Sequence, residues 1–141
     1  MSAALPITYT FRAPCEYLNA NKVEHWARRR PKVKSWRAAS CAAAIRYVGQ
    51  PCPPADIHVR LDVHDNRRRD PANWAPTVKA VVDGMTAPTT TTRKGRTTIN
   101  VGASLWPDDT PEWITTHEPT FRVVPRGQAK CVTITLTERA A

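Results

Sequence analysis

Ile57-His58-Val59-Arg60-Leu61-Asp62-Val63-His64 leads through Asp65 into Asn66-Arg67-Arg68-Arg69-Asp70-Pro71-Ala72-Asn73. Trp74 follows, and the stretch ends in Val78-Lys79-Ala80-Val81-Val82-Asp83-Gly84-Met85. Apolar residues at 57, 59, 61 and 63 alternate with polar ones, the period-2 pattern of a strand with one buried face. Asn73 has N-cap chemistry, and Pro76 would fall at the third helical position, where a missing N–H removes no intrahelical bond. The spacing therefore predicts a helix from about Trp74 to Asp83. Val78, Val81, Val82 and Met85 would form its buried stripe, Lys79 and Asp83 would share another face one turn apart, and Gly84 would supply the stop.

Working outward, Ile7, Tyr9 and Phe11 alternate with Thr8 and Thr10 and predict an opening strand. Asn19-Ala20-Asn21 is turn chemistry, and the segment after it, with His25, Trp26 and Arg28-Arg29-Arg30, is expected to be interrupted at Pro31. From Lys32 to Val48 apolar residues recur at helical spacing among several alanines, and Gly49 and Pro51 end the pattern. Residues 86–102 are polar and basic with neither period and read as a long mobile loop. Phe121/Val123 and Val132/Ile134/Leu136 predict two closing strands, with Arg126-Gly127-Gln128 joining them as a hairpin. The expected fold is a small single α/β domain spanning residues 1–141, a mixed β-sheet with flanking helices.

The 141 residues include 21 Lys plus Arg against 12 Asp plus Glu, a net charge of +9. A folded chain with that excess points to a polyanion, nucleic acid ahead of a membrane surface. No apolar run approaches the roughly 18 residues of a spanning helix. Met1 to Phe11 lacks the charged start and apolar stretch of a secretory signal, so a cytoplasmic location is expected. Cys15, Cys41, Cys52 and Cys131 show no Cys-x-x-Cys pair and no zinc-finger spacing, and are expected to be reduced, mostly buried thiols. His25, His58, His64 and His117 have no convincing ligand spacing.

Two acidic clusters can carry chemistry. Asp70 stands at a strand–helix junction behind Arg67, Arg68 and Arg69, the arrangement a phosphodiesterase needs, with hard oxygens for Mg²⁺ and guanidinium groups for phosphates. Taken alone, this segment is better accounted for by an Asx turn at Asp70-Pro71 with the arginines on a solvated face. Asp108-Asp109 lies in a proline-bracketed turn, where adjacent carboxylates repel unless a cation sits between them.

Together, Asp70-x-x-Asn73, Lys79-Ala-Val-Val-Asp83-Gly-Met85 and Leu105-Trp106-Pro107-Asp108-Asp109 resemble the signature of the RusA family of Holliday-junction resolvases, over residues 57–113. That resemblance implies a homodimeric, Mg²⁺-dependent (or Mn²⁺-dependent) endonuclease that cuts branched, four-way DNA by paired nicks in a bacterial or phage-infected cell. By position it makes Asp70 and Asp109 the metal-binding catalytic carboxylates, with Asp108 and Asn73 assisting. Arg69 takes the place of the family's basic residue before the first Asp. Three departures stand out. Ala72 replaces the family's second carboxylate, leaving Asp108, Asp83, the Asn73 amide or water to complete the shell. The family's lysine falls on Pro76 when counted from Asn73 and on Lys79 when matched from the helix end, and Lys79 is the expected cation. The connection before Asp108-Asp109 is longer than usual, and its Arg93, Lys94 and Arg96 join Arg28, Arg29, Arg30 and Arg67–Arg69 as expected DNA contacts. The main rival expectation is a protein of the same fold that binds branched DNA without cutting it, since loss of a ligand at position 72 is how a nuclease would decay; another is a nuclease of flaps or replication forks with little junction preference.

Overall fold

In the computed structural model, which describes residues 3–139, a five-stranded mixed sheet carries two helices on one face. The elements in chain order are β1 (Ile7–Arg12), α1 (Trp26–Tyr47), β2 (Ala55–Val63), a 3₁₀ turn (Pro71–Trp74) and α2 (Ala75–Met85). A separate ribbon of β3 (Thr89–Arg93) and β4 (Arg96–Asn100) follows, then β5 (Ile114–Thr116), β6 (Thr120–Val123) and β7 (Cys131–Glu138). β7 lies between β1 and β2, antiparallel to both. On the other edge of β2, β5 and β6 run parallel to it in succession.

The alternation in β2 and β7 builds the core. Ala55, Ile57, Val59 and Leu61 of β2 and Val132, Ile134 and Leu136 of β7 turn one way, onto Trp36 and Ala44 of α1 and Val78, Val81, Val82 and Met85 of α2. The alternate residues form a polar face without a helix, where Thr8 meets Thr135 at 3.2 Å and Thr10 meets Thr133 at 3.1 Å between hydroxyl oxygens. Fully buried Asp62 is the exception that needs partners, and it has them. Arg122 Nε and Nη2 donate to its two oxygens at 2.9 and 3.0 Å, and the Cys131 N–H donates at 3.0 Å.

Five expectations change. Pro31 does not interrupt anything: α1 begins five residues earlier, with His25 Nδ1 accepting from the Ala27 N–H as N-cap, and continues through the proline. Pro31 forfeits one backbone bond, while Trp36, stacked on Tyr17 and donating to the Glu16 carbonyl at 3.0 Å, anchors the helix beyond it. Asn73 is not the cap of α2. Asp70 caps the preceding 3₁₀ turn through the Ala72 N–H, and Asn73 lies within that turn. Nor does Gly84 stop α2, which runs on to Met85. A Cβ at position 84 would stand 2.9 Å from Ser40 Cβ and collide with the Arg37 carbonyl, so the glycine is there to let α1 approach.

Residues 86–102 are not an unstructured loop but contain the β3–β4 hairpin. Lys94 and Gly95 both have positive φ (51° and 74°), the mark of a type I′ turn, and β-branched threonines line both strands. Finally, β6 and β7 do not form a hairpin, because β2 lies between them. All four cysteines are free, Cys41 and Cys52 buried and Cys15 and Cys131 half-buried. No described helix is long and apolar enough to cross a membrane.

Candidate functional site

The buried stripe of α2 leaves Lys79 and Asp83 on its outer side, four residues apart. The Lys79 ammonium donates to Asp83 Oδ1 at 2.9 Å and, thirty residues along the chain, to Asp109 Oδ2 at 2.6 Å. The second contact exists because the residues before Asp109 are pinned. Leu105 and Trp106 are buried, the Leu105 N–H donates to the Met85 carbonyl at 2.9 Å, and Trp106 Nε1 donates to the Pro53 carbonyl at 3.0 Å. The following turn therefore hangs over α2. Asp108 points elsewhere, its Oδ1 accepting from the Thr110 N–H at 3.0 Å and the Thr110 hydroxyl at 2.6 Å.

Lys79 and Asp109 border a cleft of about 330 Å³. Val78 and Val82 of α2 line it, with Pro71 and Ala72 from the 3₁₀ turn and Thr116, His117 and Glu118 from the end of β5 and the residues after it. The hydrogen bond to Asp109, then that to Asp83, raise the Lys79 pKa, and the same ammonium holds the Asp109 carboxyl below the ordinary carboxylate range. Both partners are charged at neutral pH.

Asp70 belongs to a second, adjoining cleft of about 290 Å³, with Arg67, Arg68, Arg69, Asn73 and Trp74. Its Oδ1 accepts from the Ala72 N–H at 3.1 Å, the Asx geometry, and it makes no hydrogen bond to Lys79 or Asp109. The arginine turn is organised by Asp65. This carboxylate accepts from the Arg67 N–H at 3.0 Å and from Arg69 Nη2 at 2.7 Å, and those bonds pull its pKa down to about 2. Arg69 also donates to the carbonyls of Asp65 and Arg67 and lies over the Phe121 ring. Among the expected DNA contacts, Arg69 is thus turned inward as a clamp, because its donors already have backbone and carboxylate acceptors. Arg67 and Arg68 remain exposed, as do Arg28 and Arg30, with Arg29 half-buried; Arg93, Lys94 and Arg96 are exposed on the ribbon.

The expected site residues thus fall into two groups, Lys79 with Asp109 in one cleft and Asp70 with Asn73 in the next. Among the described residues, no three His, Cys, Asp or Glu side chains converge as a ready-made metal cage. Mg²⁺ does not need one, since it is commonly held by one or two carboxylates plus water and substrate phosphate. Asp83 and Asp109 are the carboxylates that the structure brings together, each with an oxygen on the same ammonium. Ala72 lines the same cleft as Asp109, so a carboxylate at that position would border it too. Sequence reasoning did not single out Asp65 or Glu118, and it set His117 aside for want of ligand spacing. The Asp65-x-Arg67-x-Arg69 spacing was the available signal for the first, while the other two reach the cleft from the short link between β5 and β6.

No family model matches the sequence, and a search of curated proteins finds no match to it.

Proposed function

We propose that this chain is a Mg²⁺-dependent, structure-selective DNA endonuclease that resolves four-way junctions by paired nicks, extending the resemblance to the RusA family. The observation that carries the reading is the ion-paired group of Lys79, Asp83 and Asp109. It joins a helix to a turn thirty residues away at the mouth of a cleft, on a chain of net charge +9. Arg67 and Arg68, exposed beside the adjoining cleft, bind phosphates flanking the scissile one. Lys79, charged at neutral pH, stabilises the negative charge that grows on the phosphoryl oxygens as the bond breaks. Asp83 and Asp109 would hold the metal, which supplies polarisation of the phosphoryl oxygen and a water of lowered pKa. Asp70 and Asn73 line the neighbouring cleft, held in place by the 3₁₀ turn that leads into α2. A four-way junction has two-fold symmetry, so a two-fold homodimer would offer one cleft to each of two opposed strands.

A second reading has its own support. Ala72 supplies no carboxylate and Asp70 is engaged by its own turn, as in a protein that binds branched DNA without cutting it. Incubating the protein with a labelled four-way junction in Mg²⁺ and in EDTA separates the two. Metal-dependent nicks on opposed strands, lost in Asp109→Asn while junction binding remains, are the expected result. Binding without cleavage over a range of Mg²⁺ and Mn²⁺ concentrations would establish the second reading instead.

A further inference from the structure

We propose that the β3–β4 ribbon is a DNA-docking arm that lies in the major groove of a duplex arm of the substrate. This rests on the nucleic-acid reading above and adds where the duplex sits. Strands of five residues make a ribbon about 17 Å long, and a two-stranded ribbon is one of the two elements that the B-form major groove admits. Residues 86–102 contain no acidic residue, and the tip carries Arg93, Lys94 and Arg96. Arg93 and Arg96 pair directly across the ribbon, an arrangement of like charges that destabilises it, and none of the three has a carboxylate partner among the described residues. Such a tip is arranged for an external anion.

The other face of the ribbon bears Thr90, Thr92, Thr97 and Ile99, the last 69 % exposed, whose methyl groups suit the thymine methyl on the groove floor. The base is fixed, because a docking arm must be aimed. Arg37 donates to the Val101 carbonyl at 2.6 Å and to the Thr89 hydroxyl at 3.4 Å, and the Ser104 N–H donates to the Thr86 carbonyl at 3.0 Å. Gly102 allows the two ends to meet, since a Cβ there would stand 2.8 Å from the Ala87 carbonyl carbon. The ribbon begins at Thr89 and ends at Asn100, between Asp83 and Asp109 in the chain, and its fixed base gives a duplex held by it a set position relative to Lys79.

The test compares the parent with the triple variant R93A/K94A/R96A, full-length and checked for an unchanged melting temperature. Binding to a four-way junction and to linear DNA and RNA duplexes is measured by anisotropy between about 50 and 200 mM salt. With up to three phosphates no longer neutralised by the tip, the slope of log K against log salt on DNA should flatten by about 2 to 3. Guanine N7 protection from methylation in one junction arm, present with the parent, should vanish. The A-form RNA major groove is too narrow for the ribbon, so RNA binding should change far less. If the parent binds DNA and the variant binds with the same affinity and slope, the docking arm is overturned and the nuclease reading stands. A flatter slope without N7 protection, or an equal loss on RNA, overturns the placement in the groove. Failure of the parent to bind any DNA removes the nucleic-acid reading itself.

Discussion

Replacing Lys79 by methionine separates a structural ion pair from a working one, because the two roles differ widely in size. Lys79 is 61 % exposed and Asp109 45 %, so each bridge falls in the solvent-screened class, worth between about 0.2 and 1 kcal/mol. Losing both therefore removes about 1 kcal/mol, a drop of roughly 3–5 °C in melting temperature for a domain of this size. A cation aimed at charge that develops only in the transition state is worth far more, on the order of 100- to 1,000-fold in rate. The expected Lys79→Met protein thus melts within about 5 °C of the parent and binds a junction as well. Its single-turnover cleavage falls at least about 100-fold. Lys79→Arg should keep the stability and recover only part of the rate, since a planar guanidinium cannot place its charge where the ammonium was. Asp109 supplies a second readout. Its folded pKa is depressed, so its stabilisation is present above the unfolded carboxylate value and lost as pH falls through the folded one. In Lys79→Met that part of the acid limb should flatten. Cleavage within about threefold of the parent would reduce Lys79 to a surface pair and refute the reasoning.

Asp62→Ala leaves the Cys131 N–H without its carboxylate acceptor, while the exposed Arg122 guanidinium turns to solvent, and should destabilise by about 1–3 kcal/mol in urea unfolding; an unchanged midpoint would mean that water replaces the carboxylate freely. The Asp65 carboxyl, drawn down to about 2, stabilises the fold above the ordinary carboxylate range and ceases to as pH falls toward 2. Asp65→Asn should therefore remove that dependence from a pH series of thermal melts, and an unchanged acid limb would exclude the clamp. Gly84→Ala wedges a methyl between α1 and α2 and should cost about 1–3 kcal/mol despite alanine's better helix propensity; a stabilised variant would show that the helices yield. Arg69→Ala should lower the melting temperature, while Arg68→Ala should leave it alone and weaken DNA binding. Equal effects of the two would erase the distinction between clamp and contact.

The strands that built the sheet were legible where one face is buried, as in β1, β2 and β7, because alternation is the direct imprint of a one-sided core. What was not legible depended on partners distant in sequence. Pro31 reads as a break until Trp36 is seen held by Tyr17 and Glu16, and Gly84 reads as a stop until α1 is placed against it. The succession of β6 and β7 suggested a hairpin, yet β7 took the place beside β2 where its apolar residues complete the core. The ribbon escaped for the opposite reason. Both its faces are exposed, so no hydrophobic alternation marks it, and only its β-branched residues and Lys94-Gly95 turn held the information.

For the candidate site, the residue types were legible and their grouping was not. Asp70 and Asp109 were expected on one ion; in the fold Asp70 caps its own 3₁₀ turn and lines the neighbouring cleft. Lys79 with Asp109 was the less obvious pair, since a seventeen-residue polar stretch lies between their elements. A hairpin resolves that difficulty. Because Thr89 pairs with Asn100, the chain returns to its starting point whatever the length of the ribbon, and the insertion displaces its flanks no more than a short turn would. The Leu105 N–H then meets the Met85 carbonyl and brings Asp109 back over α2. Spacing along the sequence therefore says little about spacing in this site. The closure of the ribbon, read from the Lys94-Gly95 turn, is what makes the distance between Asp83 and Asp109 predictable.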